Sequence, residues 1–403
     1  MRIGIDYTPA VQQRAGIGRY TRCLVDALAE LDRENEYVLF AGTRGGGPVR
    51  RDWPPNFRLR TVPLTDRHLA ILWHRLRLPL PVDLLTGPVD LFHSPDFTLP
   101  PLWQGKAIVT IHDLSFLRYP QGAEPNLRAY LERVVPRAVA RADLVLADSQ
   151  STKKDLIELL GVESDRIEVV YPGVEARFRP LDDEDLLARV RARYGLDAPF
   201  ILSVGTLEPR KNFVRLIEAY ALLRERAAIP HRLVIAGGKG WLYEGIFARV
   251  EELGLEDDVR FLGFVPDEDL PALYNLADLF VFPSLYEGFG LPPLEAMACG
   301  TPVVTSNVSS LPEVVVTSAH AGPEYGRAQR QASVSARQGE AGLMVEATDV
   351  EGLAEAMERA LGDRTWREEA VQRGLAQAGK FTWRAAAEKL VGLYEKVEGM
   401  GPH

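Results

Sequence analysis

The feature of this sequence that most constrains its fold is a regular alternation of short β-rich runs with longer helical patterns in both halves of the chain. Such alternation is typical of βαβ units, which build mainly parallel sheets with helices on both faces. At 403 residues the chain exceeds the roughly 250 to 300 residues at which one hydrophobic core stops growing. The sequence therefore predicts an α/β protein with two doubly wound domains.

The two halves carry similar sets of elements. In the first half, strands are expected near residues 2–5, 37–40, 90–93, 107–111, 143–147 and 168–170, with helices near 17–31, 126–140 and 149–160. In the second half, strands are expected near residues 200–204, 232–236, 260–262, 279–282, 302–305 and 342–345. Proline, glycine and charge clustering from Pro172 to Pro180 predicts a linker. We therefore expect a first domain over 1–175, a second over 176–380 and a C-terminal helix and tail over 381–403.

Charge and cysteine usage exclude several classes of protein. The net charge of -9 argues against a general nucleic-acid-binding protein, because affinity for phosphate backbones requires clustered basic charge. Cys23 and Cys299 match neither a disulfide framework nor the spacing of metal ligands. The sequence shows no signal peptide and no run of the ~20 apolar residues that a membrane span requires. These features predict a cytoplasmic protein without a bound metal.

The segment from Arg67 to Leu80 has an amphipathic pattern with two interpretations. Its apolar residues recur at helical spacing beside several arginines: Leu69, Leu72, Trp73, Leu76 and Leu80 beside Arg67, Arg75 and Arg77. Such a helix either packs on the sheet of its own domain or lies on a membrane surface. A peripheral contact with the inner face of a membrane is therefore one of two expectations.

Two glutamates flank a glycine-rich loop in the second half, within Tyr286-Glu287-Gly288-Phe289-Gly290-Leu291-Pro292-Pro293-Leu294-Glu295. The apolar residues before this loop predict a buried strand, and the two prolines suit the first turn of a helix. In open α/β sheets such a junction holds anionic ligands. Glu287 and Glu295 are suited to accept hydrogen bonds from sugar or ribose hydroxyls, although they also suit a surface turn at a helix start.

A pair of cations and a His-Asp pair follow two other predicted strands. Arg210 and Lys211 come after Gly205 at the end of the 200–204 strand, where they either hold a diphosphate or are surface charges. His112-Asp113 closes the 107–111 strand. A histidine at that place orients a substrate hydroxyl, transfers a proton or makes a structural hydrogen bond.

Gly16 and Gly18 lie in the first loop, before a predicted helix. A dinucleotide-binding fingerprint would require a third glycine where Thr21 stands, and an acidic residue at the end of the next strand, where Phe40-Ala41-Gly42 stands. NAD binding is therefore not expected. The two glycines either let the loop approach a phosphate or sugar, or make a turn.

The phrases Gly205 to Asn212 and Glu287 to Val304, together with His112-Asp113, resemble those of family 4 retaining glycosyltransferases of the GT-B fold. The resemblance extends over almost the full length of the chain. It implies two Rossmann-like domains that face each other across a cleft, with the last helix crossing back to the first domain. The catalytic residues that it implies are His112, Asp113, Arg210, Lys211 and Glu287. The donor-binding residues that it implies are Gly16, Gly18, Gly205, Arg210, Lys211, Glu287, Phe289, Gly290, Leu291 and Glu295.

Individual roles follow from the same resemblance. It implies that Glu287 contacts the donor sugar and that Glu295 contacts the ribose. It also implies that the backbone from Phe289 to Leu291 contacts the sugar and phosphates, and that Arg210 and Lys211 hold the diphosphate. The resemblance also puts a histidine, here His112, beside the reacting carbon. Two departures from the family are present. Many members carry an arginine near the position of Thr206, and Val316 to Glu340 resembles an insertion where relatives make a short turn.

The expected activity is therefore retaining, metal-independent transfer of a hexose from a nucleotide sugar to a hydroxyl of a glycan or lipid-linked acceptor, in glycan or polysaccharide assembly. The nucleotide sugar is a substrate, so no cofactor is expected. Two phrases, Gly16 to Tyr20 and Gly205 to Asn212, look like those of bacterial mannosyltransferases, which favours GDP-mannose as the donor. Two alternatives remain open: a sugar-nucleotide epimerase or hydrolase of the same fold, and a non-catalytic nucleotide-sugar-binding regulator.

Overall fold

The computed structural model describes residues 1–13, 16–47, 52–76, 78–315, 334–335 and 341–400. The chain divides into two compact units. The first unit comprises Met1–Gly173 together with Thr382–His403, and the second comprises Val174–Phe381. The predicted insertion, 316–340, lies outside the described residues apart from 334–335.

The described residues of the first unit form a seven-stranded parallel sheet in the order β3-β2-β1-β4-β5-β6-β7. The strands are β1 (Arg2–Asp6), β2 (Glu36–Gly42), β3 (Phe57–Val62), β4 (Leu91–Ser94), β5 (Lys106–Ile111), β6 (Leu144–Ala147) and β7 (Ile167–Val169). The strand order reverses between β1 and β4, so the loops after these two strands border the crevice where doubly wound sheets bind ligands.

Helices cover both faces of this sheet. They are α1 (Thr8–Gln12), α2 (Ile17–Leu31), α3 (Asp66–Ala70), α4 (Asp83–Thr86), α5 (Ser115–Arg118), α6 (Pro125–Arg141) and α7 (Gln150–Leu160). One apolar core lies between the sheet and α1 and α2, and another lies between the sheet and α3, α6 and α7.

Strand β3 is absent from the sequence prediction. It lies at the edge of the sheet, and its side chains Arg58, Arg60 and Thr61 are exposed. An edge strand is paired on one side only and tolerates charged residues, so its sequence lacks the apolar pattern that marks a central strand.

The predicted amphipathic helix in 67–80 is shorter than its sequence pattern. After α3 the chain forms a π turn, Ile71–Arg75, and the helix stops before Pro79, which lacks the N–H that a helix interior requires. Leu69 and Trp73 are buried in the core, whereas Leu76 and Leu80 are 59% and 49% exposed. The first part of the pattern therefore packs on its own sheet, and the second part does not. Arg77 lies outside the described residues.

The second unit repeats the architecture of the first. Its described strands are β8 (Phe200–Val204), β9 (Arg232–Ala236), β10 (Val259–Gly263), β11 (Leu279–Phe282), β12 (Val303–Ser306), β13 (Val334–Ser335) and β14 (Gly342–Val345). They form a sheet in the order β10-β9-β8-β11-β12-β14-β13, in which β13 alone is antiparallel among these described strands. The order reverses between β8 and β11, which makes their loops the counterpart of those after β1 and β4.

The helices of the second unit surround its sheet in the same way. They are α8 (Glu184–Tyr194), α9 (Phe213–Arg226), α10 (Glu244–Glu252), α11 (Leu270–Leu276), α12 (Leu291–Ala298), α13 (Leu311–Val315), α14 (Val350–Gly362) and α15 (Arg364–Ala378). Helices α9, α10 and α14 share an apolar core with strands β8, β9 and β11. Helix α12 begins directly after the glycine-rich loop that the sequence singles out.

The last helix, α16 (Trp383–Glu398), belongs to the first unit. Thr382 caps its start by accepting a hydrogen bond from the backbone N–H of Ala385. The hydroxyl of Tyr394, which is fully buried, lies 2.8 Å from Nδ1 of His93. The other ring nitrogen of His93 lies 2.9 Å from the hydroxyl of Thr110 on β5, so His93 joins the helix to the sheet. None of the described helices combines the length and apolar composition that crossing a bilayer requires.

Candidate active site

In the second unit, the loop after β8 carries two cations that meet one carboxylate from the loop after β11. Arg210 Nη1 donates a hydrogen bond to Glu287 Oε2 at 2.8 Å, and Lys211 Nζ donates to Glu287 Oε1 at 2.6 Å. Arg210 Nη2 also pairs with Glu208 Oε1 at 2.7 Å. Because β8 and β11 are neighbours in the sheet, their loops begin side by side and bring together residues that are distant in sequence.

Pairing favours the charged forms of this cluster, and burial opposes them. Burial opposes the ionised form of Glu287, but the positive charges of Arg210 and Lys211 outweigh it and lower the pKa of Glu287 to about 2. Burial and the adjacent Arg210 lower the pKa of Lys211, although Glu287 and Glu208 oppose that shift. The loop therefore holds the guanidinium of Arg210 and the amine of Lys211 in place beside two carboxylates.

Local backbone chemistry sets the direction of the two cations. Asn212 ends the short 3-10 turn Pro209–Lys211 with a φ of 62°, a conformation that asparagine tolerates better than most residues. Its side-chain amide donates to the carbonyl oxygens of Pro283 at 2.9 Å and Ala347 at 2.7 Å. At Gly205, a Cβ would lie 3.4 Å from Cδ of Lys211, which is ordinary van der Waals contact, so the aliphatic stem of Lys211 packs beside this turn.

Two serines that follow β12 hold the glycine-rich loop in shape. Ser309 Oγ accepts a hydrogen bond from the backbone N–H of Glu287 at 2.8 Å. The hydroxyl of Ser310 lies 2.9 Å from the carbonyl oxygen of Glu287 and 2.6 Å from that of Phe289. Gly290 has a φ of 119°, and a Cβ there would lie 2.8 Å from a side-chain carbon of Leu311. The start of α12 at Leu291 therefore depends on a glycine and on two serines that the sequence did not single out.

Glu295 is carried by α12 into the interior of the second unit. The residue is 2% exposed, and its Oε2 accepts a hydrogen bond from the hydroxyl of Tyr274 at 3.0 Å. The structure thus brings Arg210, Lys211 and Glu287 into direct contact, and it pairs Glu295 with Tyr274. The expected contact of Glu295 with a ribose stays a prediction.

In the first unit, His112 follows β5 and faces hydrogen-bond acceptors at both ring nitrogens. Nδ1 lies 2.7 Å from Asp148 Oδ2, and Nε2 lies 3.0 Å from the carbonyl oxygen of Pro95. A carbonyl oxygen only accepts, so Nε2 carries a proton and donates it in a hydrogen bond to Pro95, and the carboxylate of Asp148 accepts a hydrogen bond from the proton on Nδ1. Burial opposes the charged ring, but Asp148 outweighs it, and the pKa of His112 is raised to about 9. His112 is therefore an imidazolium at neutral pH.

The carboxylate that contacts His112 is not that of its neighbour in sequence. Asp113 accepts a hydrogen bond from the backbone N–H of Ser115 at 2.8 Å, which stabilises the start of α5. Asp148 follows β6, the strand next to β5, and is 36 positions away from His112. The signal that points to it is a polar pair, Asp148-Ser149, directly after a fully apolar strand.

Gly16 and Gly18 differ in their surroundings. Gly16 has a φ of 57°, and a Cβ there would meet no described atom within 4 Å. At Gly18, by contrast, a Cβ would lie 2.0 Å from the carbonyl oxygen of Gln13. Gly18 is therefore required for the close approach of α2 to the end of α1, and its role in donor binding stays a prediction.

Comparison with known proteins matches two family descriptions. Residues 14–178 match Glycosyltransferase Family 4, and residues 189–322 match Glycosyl transferases group 1. The chain is 33% identical over 409 aligned residues to O-antigen chain mannosyltransferase B of Escherichia coli, and the alignment covers 98% of this chain and 100% of that protein.

Solved structures show the same architecture. Sucrose-phosphate synthase from Thermosynechococcus elongatus aligns with a TM-score of 0.72 at 25% identity, covering 98% of this chain and 99% of that one. HepE of Anabaena, in complex with UDP-glucose, aligns with a TM-score of 0.68 at 19% identity, covering 98% of this chain and 99% of that one. This second likeness concerns the fold alone. Together with the full-length relative, these matches show that the chain belongs to the family 4 glycosyltransferases and has the GT-B fold.

Proposed function

We propose that this glycosyltransferase moves a hexose, mannose, from GDP-mannose to a hydroxyl of a glycan acceptor during polysaccharide assembly, with retention of configuration and without a metal ion. The name of the full-length relative supports mannose and a glycan acceptor. The observation that carries the proposal is the contact of Arg210 and Lys211 with Glu287 at the carboxyl ends of β8 and β11.

The two cations supply the charge that the leaving group needs. Breaking the bond between the sugar carbon and the diphosphate builds negative charge on the phosphate oxygens. Donors that are already oriented stabilise this charge without reorganising during the reaction. Glu208 and Glu287 orient Arg210 and Lys211, so these two side chains can perform the role that a divalent cation performs in metal-dependent transferases.

The glycine-rich loop complements the two cations on the sugar side. Glu287 offers an ionised carboxylate to the donor sugar. The backbone N–H groups from Phe289 to Leu291, at the start of α12, suit the sugar and phosphate oxygens. Glu295, which is also on α12 and is buried beside Tyr274 of α11, is assigned to the ribose hydroxyls. These roles follow from the family resemblance, and the local geometry is compatible with them.

His112 acts as a fixed cation and not as a general base. Both of its ring nitrogens already carry protons, which they donate in hydrogen bonds to Asp148 and to the carbonyl oxygen of Pro95. The ring therefore has no site that takes up another proton. The proton of the acceptor hydroxyl therefore leaves by another route. Attack of the hydroxyl on the same face from which the diphosphate departs, with the proton passing to the departing phosphate oxygen, meets this requirement and retains the configuration.

Four exposed apolar side chains of the first unit support the proposal of a lipid-linked acceptor and a peripheral membrane contact. They are Leu76, Leu80, Leu84 and Trp103, which are 59%, 49%, 62% and 77% exposed. The backbone N–H of Trp103 donates to Asp83 Oδ1 on α4 at 3.1 Å, so the tryptophan lies beside the leucine-bearing helix. Trp and Leu side chains of this kind favour the interface between water and lipid.

The test of the proposed function is release of nucleoside diphosphate in the presence of donor and acceptor. Lys211→Ala should lower kcat at least a hundredfold, because removal of one preorganised donor typically costs about 3 to 4 kcal/mol of barrier. Lys154→Ala is the matched control, since the side chain of Lys154 is 70% exposed and lies in the first unit. An unchanged rate in Lys211→Ala would falsify the proposal.

Three further measurements address the parts of the proposal separately. A thermal-shift screen of GDP, UDP and ADP sugars identifies the donor, because a ligand that binds the folded state raises its melting temperature. The anomeric coupling constant of the product reports retention. Activity that survives exhaustive chelation is expected for a metal-independent enzyme, and activity that a divalent cation restores would contradict it.

A further inference from the structure

The first unit contains a cavity of about 400 Å³ at the junction of β1 and β4. The loops after these two strands line it, together with α3, the π turn that follows α3 and the start of α6. Small-molecule sites span roughly 300 to 1,000 Å³, so the cavity has the volume of a ligand site. All the residues that line it belong to the first unit, whereas Arg210, Lys211 and Glu287 belong to the second.

Carboxylates are the main polar groups of this cavity. Asp6 is 9% exposed and accepts a hydrogen bond from the backbone N–H of Thr8 at 2.9 Å, and Asp96 accepts one from the backbone N–H of Phe97 at 2.7 Å. Burial raises the pKa of Asp6 to about 6, against the hydrogen bonds of Thr8, and the charge of Asp96 adds to the shift. Both groups accept hydrogen bonds when ionised, so they suit a ligand that offers several hydroxyl donors.

Aromatic side chains form the apolar part of the lining. Trp73, Phe97 and Tyr130 border the cavity and provide flat surfaces of the kind that pack against the C–H faces of a ring. Burial, with the charges of Asp96 and Asp66, raises the pKa of Tyr130 to about 12, so its hydroxyl stays neutral. Carboxylates beside aromatic rings match the alternation of hydroxyl edges and C–H faces in a sugar.

The charge of the lining opposes an anionic ligand. In the lining, Asp6, Asp66 and Asp96 outnumber the cation Arg67; His112, an imidazolium beside the lining, and burial, which raises the pKa of Asp96, each offset part of this negative charge. His74 adds no positive charge, because burial, with the nearby Arg141, lowers its pKa to about 4. A phosphate in this cavity would meet like charges in partly desolvated surroundings, which is unfavourable. An uncharged ligand avoids that penalty.

One loop connects the cavity with His112. Asp96 and Phe97 line the cavity, and the carbonyl oxygen of the preceding Pro95 lies 3.0 Å from Nε2 of His112. The ring of Phe97 also meets the ring of His112 edge to face, with centroids 5.6 Å apart. A ligand in the cavity therefore lies against the residues that hold the imidazolium.

We propose that this cavity binds the terminal, uncharged sugar of the acceptor glycan, with Asp6 and Asp96 accepting hydrogen bonds from its hydroxyls, and that it rejects acceptors whose terminal unit carries a phosphate. The inference rests on the proposed function, because only a transferase has an acceptor. It adds the chemical class of the acceptor end and the residues that select it.

The test compares methyl α-mannoside with its 6-phosphate as acceptors at saturating donor. The neutral mannoside should show at least tenfold higher kcat/KM. Asp6→Asn and Asp96→Asn should raise KM for the neutral mannoside at least tenfold and should reduce the preference over the phosphate. Asp165→Asn, which alters an exposed carboxylate of the first unit away from the cavity, should leave both values unchanged.

A third cavity variant guards against misfolding of Asp6→Asn, because Asp6 is buried. Leu127 lines the cavity but is 46% exposed, so Leu127→Trp should narrow the cavity without disturbing the core, and KM for the mannoside should rise. Donor binding is measured in parallel by thermal shift and should be retained in every variant. Equal use of the phosphorylated acceptor, or an unchanged acceptor KM in all three cavity variants with donor binding intact, would overturn this inference alone. A wild-type protein that binds no nucleotide sugar would overturn the proposed function as well.

Discussion

Replacing Asp148 by asparagine should convert His112 from an imidazolium to a neutral imidazole at neutral pH. The side chains of His112 and Asp148 are only 11% and 8% exposed, so solvent screens their interaction weakly. With the carboxylate removed, burial favours the neutral ring, and the smaller effects of Asp96 and the Pro95 carbonyl, which raise the pKa of His112, remain. Asparagine keeps the shape of the side chain and one acceptor oxygen, so the substitution mainly removes charge.

The magnitude follows from the pKa of the ring. A rise from 6.5 to about 9 corresponds to about 3 kcal/mol of differential stabilisation of the charged form. Because the pKa in the folded state lies above that in the unfolded state, this contribution is fully present below pH 6.5 and is lost as the pH rises through 9. The stability advantage of the wild type over Asp148→Asn should therefore be larger at pH 6 than above pH 9; burial of Asp148, which raises the pKa of that carboxyl, works against this advantage.

Two measurements check this prediction. Nitrogen-15 NMR titration of the histidine rings reports the pKa of His112 directly, with its signal assigned by the loss seen in His112→Gln. Urea unfolding at pH 6 and pH 9 reports the stability difference. Asp113→Asn is the control, because that carboxylate bonds the backbone N–H of Ser115, and the His112 signal should titrate as in the wild type. A wild-type His112 that titrates below pH 7, or the same pKa in Asp148→Asn, would refute the reasoning.

Two other predictions concern stability and membrane contact. Gly290→Ala should lower the free energy of unfolding by about 1 to 3 kcal/mol, because a φ of 119° is strained for any residue with a Cβ and that Cβ would lie 2.8 Å from a side-chain carbon of Leu311. Gly392 lies at an exposed position within α16, where a Cβ meets no described atom within 4 Å. Gly392→Ala should therefore raise the free energy of unfolding by about 0.5 to 1 kcal/mol in the same urea titration. Trp103→Ser should weaken binding to anionic lipid vesicles in a flotation assay while nucleotide-sugar binding stays unchanged, and equal flotation of both proteins would contradict the proposed membrane contact.

Much of the candidate site could be predicted because its signals are local in sequence. The approach of Gly205 to Lys211 and the positive φ of Gly290 lie within short segments that follow apolar strands, and glycine and proline mark such segments. The resemblance that these segments carry led to the family and the GT-B fold, both of which the comparisons confirm. The individual ligand roles stay predictions, because they concern atoms of a bound donor.

The remaining contacts join segments that are far apart in the chain. Asp148 reaches His112 because β5 and β6 are neighbours, and Ser309 and Ser310 reach the glycine-rich loop because β12 lies beside β11. The cavity between the loops after β1 and β4 depends on the same kind of pairing. A residue pattern does not state which strands are adjacent, so none of these contacts could be derived from it.

The sequence by itself determined that this protein has two α/β domains, belongs to a family of glycosyltransferases and carries a pair of cations and a carboxylate beside glycine turns. Only the tertiary structure decided that Glu287 orients both cations, that Asp148 keeps His112 charged, and that acidic and aromatic side chains enclose a cavity in the first unit. The physical reason is that the local backbone conformation is set largely by residues adjacent in the sequence. The pKa values and the cavity depend instead on which strands are neighbours in the sheet and on the burial that this strand order produces.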